Sequence, residues 1–175
     1  AGLAAVRALA KIDARFPQIC GERSVWTAGR IALEPGAPSI IPGRAEVLFQ
    51  LRDADEAVLE RLDTALRAII AEIDAEGVCG ASLEVMGQSK PARMDAGLQD
   101  LIDAAAAIHA PGQCIRMPSG AGHDAQYLAR IMPAAMLFVP SIGGISHHCT
   151  EDTAEEDIIL GARVYAEAVA KALRA

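Results

Sequence analysis

Two glycine-rich loops carry the residues best suited to chemistry: Ser119-Gly-Ala-Gly-His-Asp-Ala-Gln126 and Pro140-Ser-Ile-Gly-Gly-Ile-Ser-His-His-Cys-Thr-Glu151. Glycine lets the main chain approach a ligand closely and expose its N–H groups. An imidazole beside it can donate a hydrogen bond, transfer a proton or bind a metal. The candidate site residues are therefore the histidines of these loops, His123 in the first and the adjacent His147 and His148 in the second. Neither loop is specific alone, because a turn histidine can equally well cap a neighbouring backbone group. The second loop directly follows the apolar run Ala134 to Val139, and loops at such strand ends are where α/β proteins place ligands.

The elements that must hold these loops are legible as patterns. Leu3, Val6, Leu9, Ile12 and Phe16 recur every three or four residues, which predicts a helix with these side chains inward, stopped at Pro17. Ser24 to Leu33 and Arg44 to Asp53 are β-rich runs separated by Glu34-Pro-Gly-Ala-Pro38. Ala45, Val47, Phe49 and Leu51 alternate with Glu46, Gln50 and Arg52, which predicts two antiparallel strands. Asp55 can cap a helix carrying Leu59, Leu62, Leu66, Ile69, Ile70 and Ile73 as far as Gly77, and Ala81 to Met86 reads as a strand. Helix, strand, strand, helix, strand is a ferredoxin-like unit without its first strand, which would precede Ala1. Ala1 is not an initiator methionine, and the chain is expected to begin inside an element.

Gln88 to Arg93 is polar, contains Pro91 and reads as a hinge. Beyond it, helix (Asp95 to His109), strand (Cys114 to Met117), helix (from about Asp124) and strand (Ala134 to Val139) alternate, an α/β pattern. Thr153 and Glu156 form a capping-box pattern ahead of a last helix in which Ile158, Ala162, Tyr165, Val169 and Leu173 keep helical spacing to near the end. Two domains are expected, over residues 1–88 and 89–175.

Composition bounds the function. A net charge of -7 and a pI near 5.1 repel phosphate backbones, and few aromatics are available to stack on bases, so nucleic acid is a poor partner. No apolar run reaches the roughly 20 residues that a bilayer demands, and no signal-peptide order is present. A cytoplasmic protein is expected. Cys20, Cys79, Cys114 and Cys149 are scattered without a C-x-x-C pair and read as free thiols.

Taken together, Ser119 to Gln126, Phe138-Val-Pro-Ser141, Gly144-Ile-Ser-His147 with Glu151, Ile41-Pro-Gly43 and Leu51-Arg52-Asp53 resemble the carbamoylase branch of the di-metal aminopeptidase-like hydrolases. That group includes N-carbamoyl-L-amino-acid hydrolases, β-ureidopropionases and allantoate amidohydrolases. The resemblance runs in order through nearly the whole chain. It implies an α/β (α+β) fold: an incomplete ferredoxin-like lid or dimerisation domain over 1–88, then the C-terminal portion of a three-layer α/β di-zinc aminopeptidase-like catalytic domain.

It also implies roles. His147 would be a metal ligand for Zn²⁺, Mn²⁺, Ni²⁺ or Co²⁺. Gly122 and His123 would contact the substrate, with His123 catalytic through the tetrahedral oxyanion, while Asp124 orients the loop. Arg52 would grip the substrate α-carboxylate through its guanidinium fork. Ser39 stands where the family usually has asparagine, which leaves substrate choice open between N-carbamoyl-L-amino acids, allantoate or another ureido acid, and a peptide-like amide as in a related metallopeptidase. Two metals would activate a water, a glutamate would take its proton, and hydroxide would attack the carbamoyl carbon. The family's paired glutamates and its His-x-Asp motif are not found in this chain. Glu155 and Glu156 resemble the pair but sit in the first turn of a helix, where they complement its dipole. The 175 residues alone are thus expected to bind metal weakly and to lack carbamoylase activity, and the parent is expected to dimerise through the lid. A non-catalytic dimerisation or binding module is the reading from a different class.

Overall fold

The computed structural model describes residues 1–88 and 90–174. Ser89 and Ala175, which fall in the expected second domain, lie outside the described residues. The chain divides into two compact units, Ala1–Pro91 and Ala92–Ala175.

In the first unit, α1 (Gly2–Arg15) runs into a single 3-10 turn, Phe16–Gln18, with Pro17 in its first turn. Pro17 cannot donate to the preceding turn, which ends the α-helix. Strands β1 (Val25–Glu34) and β2 (Arg44–Arg52) pair antiparallel from Val25 opposite Arg52 to Glu34 opposite Arg44. The register slips between Ala28 and Arg30, so Gly29 is the extra residue of a bulge. Helix α2 (Glu56–Ala75) starts at Asp55, whose carboxylate accepts the Ala57 N–H at 2.8 Å. Just past its end, Gly77 takes φ 69° and donates to the Asp74 carbonyl, the left-handed stop that glycine makes without strain.

The core of this unit is Ala4, Ala8, Ile12 and Phe16 against Val58, Leu62, Leu66, Ile69 and Ile73. Phe16, fully buried, meets Trp26 and Phe49 edge-on at centroid distances of 5.5 and 6.2 Å, which clamps the helix end onto the hairpin. The expected inward face of α1 holds at Ile12 and Phe16, which are buried, and at Leu9, which packs against the core, but it differs toward the start of the helix. Leu3 and Val6 are 77% and 60% exposed, and Ala4 and Ala8 are buried instead. Small residues let α1 lie close to α2, and Arg7–Glu76 and Lys11–Glu72 ion pairs, each 2.7 Å, flank the seam.

The expected strand Ala81 to Met86 is not formed. The Ala81 N–H goes to the Asp74 carboxylate at 2.8 Å, Ala81 and Leu83 lean on the core, and the sheet among the described residues has two strands. An apolar alternation favours a strand, but a ladder needs a partner edge.

In the second unit, α3 (Ala96–His109) is capped by Asp95, which accepts the Leu98 N–H at 2.8 Å. A single short turn, α4 (Asp124–Leu128), follows, then α5 (Glu155–Ala172). The core is small: Ala105 and Ala106 of α3 against Val164 and Ala168 of α5, with Ile102 and Leu137 at its margin. The expected strands Cys114 to Met117 and Ala134 to Val139 are again absent as ladders among the described residues. The first is exposed and held instead by Arg116, which bonds Asp103 at 2.7 Å and Asp100 at 2.5 Å. Hydrogen bonds to Asp100 and then Asp103 hold this guanidinium above its usual range. The start of the second is fixed by the Asp95 N–H on the Ala134 carbonyl, 2.8 Å.

One expectation for α5 is corrected. Its N-cap is Ala154, with no side-chain cap, so Thr153 and Glu156 do not form a capping box. The buried face is Val164 and Ala168, whereas Ile158, Tyr165 and Leu173 are 53%, 62% and 84% exposed. Glu155, Glu156 and Asp157 do occupy the first turn, as dipole complementation asks.

Candidate functional site

Gly161 shapes how the second histidine loop leaves the core. A methyl group built there would lie 2.4 Å from Val139 Cγ1, so the absence of a side chain lets the 134–139 segment pass close to α5. The loop beginning at Pro140 is then closed at its base by the Ile142 N–H on the Asp152 carbonyl, 2.8 Å. Within it the backbone turns left-handed three times, at Gly143 (φ 67°), Gly144 (φ 68°) and His147 (φ 57°). The glycines meet this freely. His147 does not, although histidine is among the side chains that tolerate the region. Its N–H is held by Glu151 Oε2 at 2.7 Å, which offsets the strain and fixes the residue's orientation.

The two adjacent imidazoles behave differently. His148 turns back on its own loop: Nδ1 lies 2.9 Å from Thr150 Oγ1, and the Thr150 N–H donates to it at 3.3 Å. His148 thus caps a local turn. The His147 ring has no hydrogen-bond partner among the described residues and is exposed.

His123 occupies the N-cap position of α4, yet its side chain makes no cap bond. The ring is half-buried. Its Nε2 lies 2.7 Å from Ser119 Oγ, and its face meets Phe138 at 5.4 Å between centroids, tilted 57°. The Phe138 contact joins the first histidine loop to the segment that feeds the second. Gly122 is exposed, and a Cβ there would meet nothing within 4 Å, so packing does not explain its glycine. Ser119 is the residue of this loop whose role sequence reasoning missed. The signal was its i to i+4 spacing from His123, which in a loop specifies no contact.

In the first unit Arg52 is exposed at the last position of β2. The corner beyond it is pinned by Asp53, which accepts the Ser24 hydroxyl at 2.5 Å and the Asp55 N–H at 2.8 Å. Ser39 lies in the connection at the other end of the hairpin, lining a shallow cavity of about 510 Å³ with Gly2, Arg7, Ile40 and Pro42. Strand β2 between them rises about 3.4 Å per residue. Over Arg44–Arg52 that separates the two ends by roughly 27 Å. Arg52 and Ser39 of one chain therefore do not meet around one small molecule.

Among the described residues no three His, Cys, Asp or Glu side chains gather as a metal would require. The residues present do not by themselves fit a di-metal centre, and the ring free to contribute a ligand in the second loop is His147. The four cysteines are free thiols, and no described helix is long and apolar enough to cross a membrane.

Residues 1–171 match the model of Peptidase family M20/M25/M40. The chain is 36% identical over 148 residues to an allantoate amidohydrolase of Bacillus subtilis, and 30% identical over 146 residues to an N-carbamoyl-L-amino-acid amidohydrolase of Rhizobium meliloti. Each match covers 83% of this chain and 35% of the relative, so the chain spans about a third of their length. A crystal structure of a hydantoinase/carbamoylase-family amidase from Burkholderia phymatum superposes with a TM-score of 0.86 at 44% identity, covering 98% of this chain and 41% of that one. On these grounds the chain belongs to Peptidase family M20/M25/M40, with its relatives among the amidohydrolases of the allantoate and carbamoylase type.

Proposed function

We propose that this chain is part of a metal-dependent amidohydrolase that cleaves the carbamoyl C–N bond of N-carbamoyl-L-amino acids. Residues 1–88 belong to its lid and dimerisation domain and residues 89–175 to its catalytic domain. The observation that carries the reading is the contrast between the two adjacent histidines. His148 is spent on its own turn, whereas His147 is set on a left-handed backbone, anchored by Glu151, with its ring unpartnered among the described residues. Strained positions persist where the surroundings over-determine them, and a ligand site is one such place.

In this reading His147 supplies one ligand to the di-metal centre, and the remaining ligands come from outside this chain. When bound, the metals supply an activated water. His123 and the Gly122 main chain hold the substrate carbonyl, and Arg52 grips the carboxylate. Because Ser39 and Arg52 lie at opposite ends of the hairpin, a homodimer is the arrangement in which both can serve substrate sites.

The accessible surface supports a larger parent. Two independent domains of about 9 kDa would together expose about 9,800 Å², whereas these residues expose 12,261 Å². An allantoate or ureido-acid substrate is the second reading, favoured by the 36% identity to the Bacillus allantoate amidohydrolase. The two are separated by ammonia release from the full-length enzyme with N-carbamoyl-L-amino acids, allantoate and ureidoglycolate. The highest kcat/KM is expected with an N-carbamoyl-L-amino acid, and a preference for allantoate would transfer the assignment to the second reading.

A further inference from the structure

We propose that Ser119 is a positioning residue that fixes the tautomer of His123, so that the N–H this ring offers to a substrate carbonyl or oxyanion sits on Nδ1. The inference rests on the reading of His123 as a substrate contact, and adds to it the donor atom and the group that selects it.

The hydrogen-bond inventory around Ser119 carries the argument. Its Oγ lies 2.7 Å from His123 Nε2 and accepts the Ala121 N–H at 3.3 Å. A serine hydroxyl has one proton and two lone pairs. With one lone pair facing Ala121, the hydroxyl proton has one acceptor within reach among the described residues, and that acceptor is His123 Nε2. The reverse arrangement, with Nε2–H donating into Oγ, leaves a half-buried hydroxyl proton without an acceptor, which is the costlier state. Nε2 therefore accepts, and the neutral ring carries its proton on Nδ1.

Nδ1 is left available. It has no hydrogen-bond partner among the described residues, and the side chain does not cap α4 even though the residue stands at its N-cap. Phe138, tilted against the ring at 5.4 Å, opposes a flip that would exchange the two nitrogens. The imidazole is thus held at one edge by a hydroxyl and on one face by an aromatic ring. A single directed N–H remains, the kind of donor that needs no reorganisation when charge develops on an oxygen.

The test is a long-range ¹H–¹⁵N spectrum of the 175-residue chain with labelled imidazoles, at alkaline pH where the rings are neutral. The His123 signals are assigned by their loss in His123→Asn. The expected result is a protonated Nδ1 in the wild type, a mixture of tautomers in Ser119→Ala, and recovery of the Nδ1–H form in Ser119→Thr. A wild-type ring protonated on Nε2 overturns the inference without need of any variant, and so does an unchanged tautomer in Ser119→Ala. In the full-length enzyme, Ser119→Ala is expected to lower kcat tenfold or more, with KM changed by less than about threefold and activity restored by Ser119→Thr. Wild-type turnover in Ser119→Ala overturns the catalytic use of the tautomer. Wild-type turnover in His123→Asn instead defeats the underlying reading of His123, an outcome separate from the spectroscopic one.

Discussion

Replacing Gly161 with alanine should destabilise the second unit, although glycine in a helix interior is ordinarily a liability. Gly161 is interior to α5, where alanine would gain about 1 kcal/mol of helix propensity. Its new Cβ, however, would stand 2.4 Å from Val139 Cγ1. Carbon atoms pack at about 3.5–4.0 Å, so more than 1 Å of overlap must be relieved. Val139 is 40% exposed and can turn, but its branched side chain is stiff about χ1. Overpacking of this kind costs about 1–3 kcal/mol. Set against the propensity gain, the net effect is a loss of about 1 kcal/mol.

Removing the obstacle reverses the sign. In a Val139→Ala background Cγ1 is gone, and Val139 Cβ, 3.9 Å away, is at ordinary contact distance. Gly161→Ala should then stabilise by about 1 kcal/mol, a coupling of about 2 kcal/mol across the cycle. Urea unfolding of the four proteins, followed by far-ultraviolet circular dichroism and by exchange of the α5 amides, measures it. A coupling below about 0.5 kcal/mol, or a Gly161→Ala variant more stable than wild type, would refute the close approach that delivers the chain to the His147 loop.

Three further outcomes are expected. Phe16→Ala should cost about 3–5 kcal/mol, because the side chain is fully buried between Trp26 and Phe49, and a loss below about 1 kcal/mol would contradict that packing. Asp95→Ala should cost about 1 kcal/mol and speed exchange at the start of α3, whereas Asp95→Asn should largely preserve the cap, read by thermal melts. In the full-length enzyme Arg52→Ala should raise KM for carboxylate substrates about 10- to 100-fold, the loss of a charge-assisted pair, with kcat changed little. An unchanged KM would remove Arg52 from the substrate.

The readable parts of the sequence were those with a local physical cause. Asp55 and Asp95 announced two helix starts because a cap is set by a side chain and the next few backbone groups. Pro17 and Gly77 marked two ends for the same reason, and the Arg44–Arg52 alternation marked the hairpin. Helix faces were less readable. Counting large apolar residues placed Leu3 and Val6 on the inner face of α1, and in α5 the helical spacing runs through Ile158, Tyr165 and Leu173, which are exposed. The structure buries Ala4 and Ala8, and Val164 and Ala168, because closely spaced helices bury small residues.

Apolar runs at Ala81–Met86, Cys114–Met117 and Ala134–Val139 read as strands but pair with nothing among the described residues. Ladder formation is non-local, and no run of residues reveals its own partner. At the candidate site the histidine loops were visible as composition. The division of labour between His147 and His148, and the Ser119 contact to His123, are facts of geometry that spacing in a loop does not encode.

The central claim is that this chain brings one specific imidazole, that of His147, to a metal centre. Elemental analysis of the purified full-length enzyme tests it most directly, comparing His147→Ala with His148→Ala. His147→Ala is expected to lose about half or more of its bound metal, while His148→Ala keeps wild-type content. Wild-type metal occupancy in His147→Ala, or metal loss confined to His148→Ala, would contradict it.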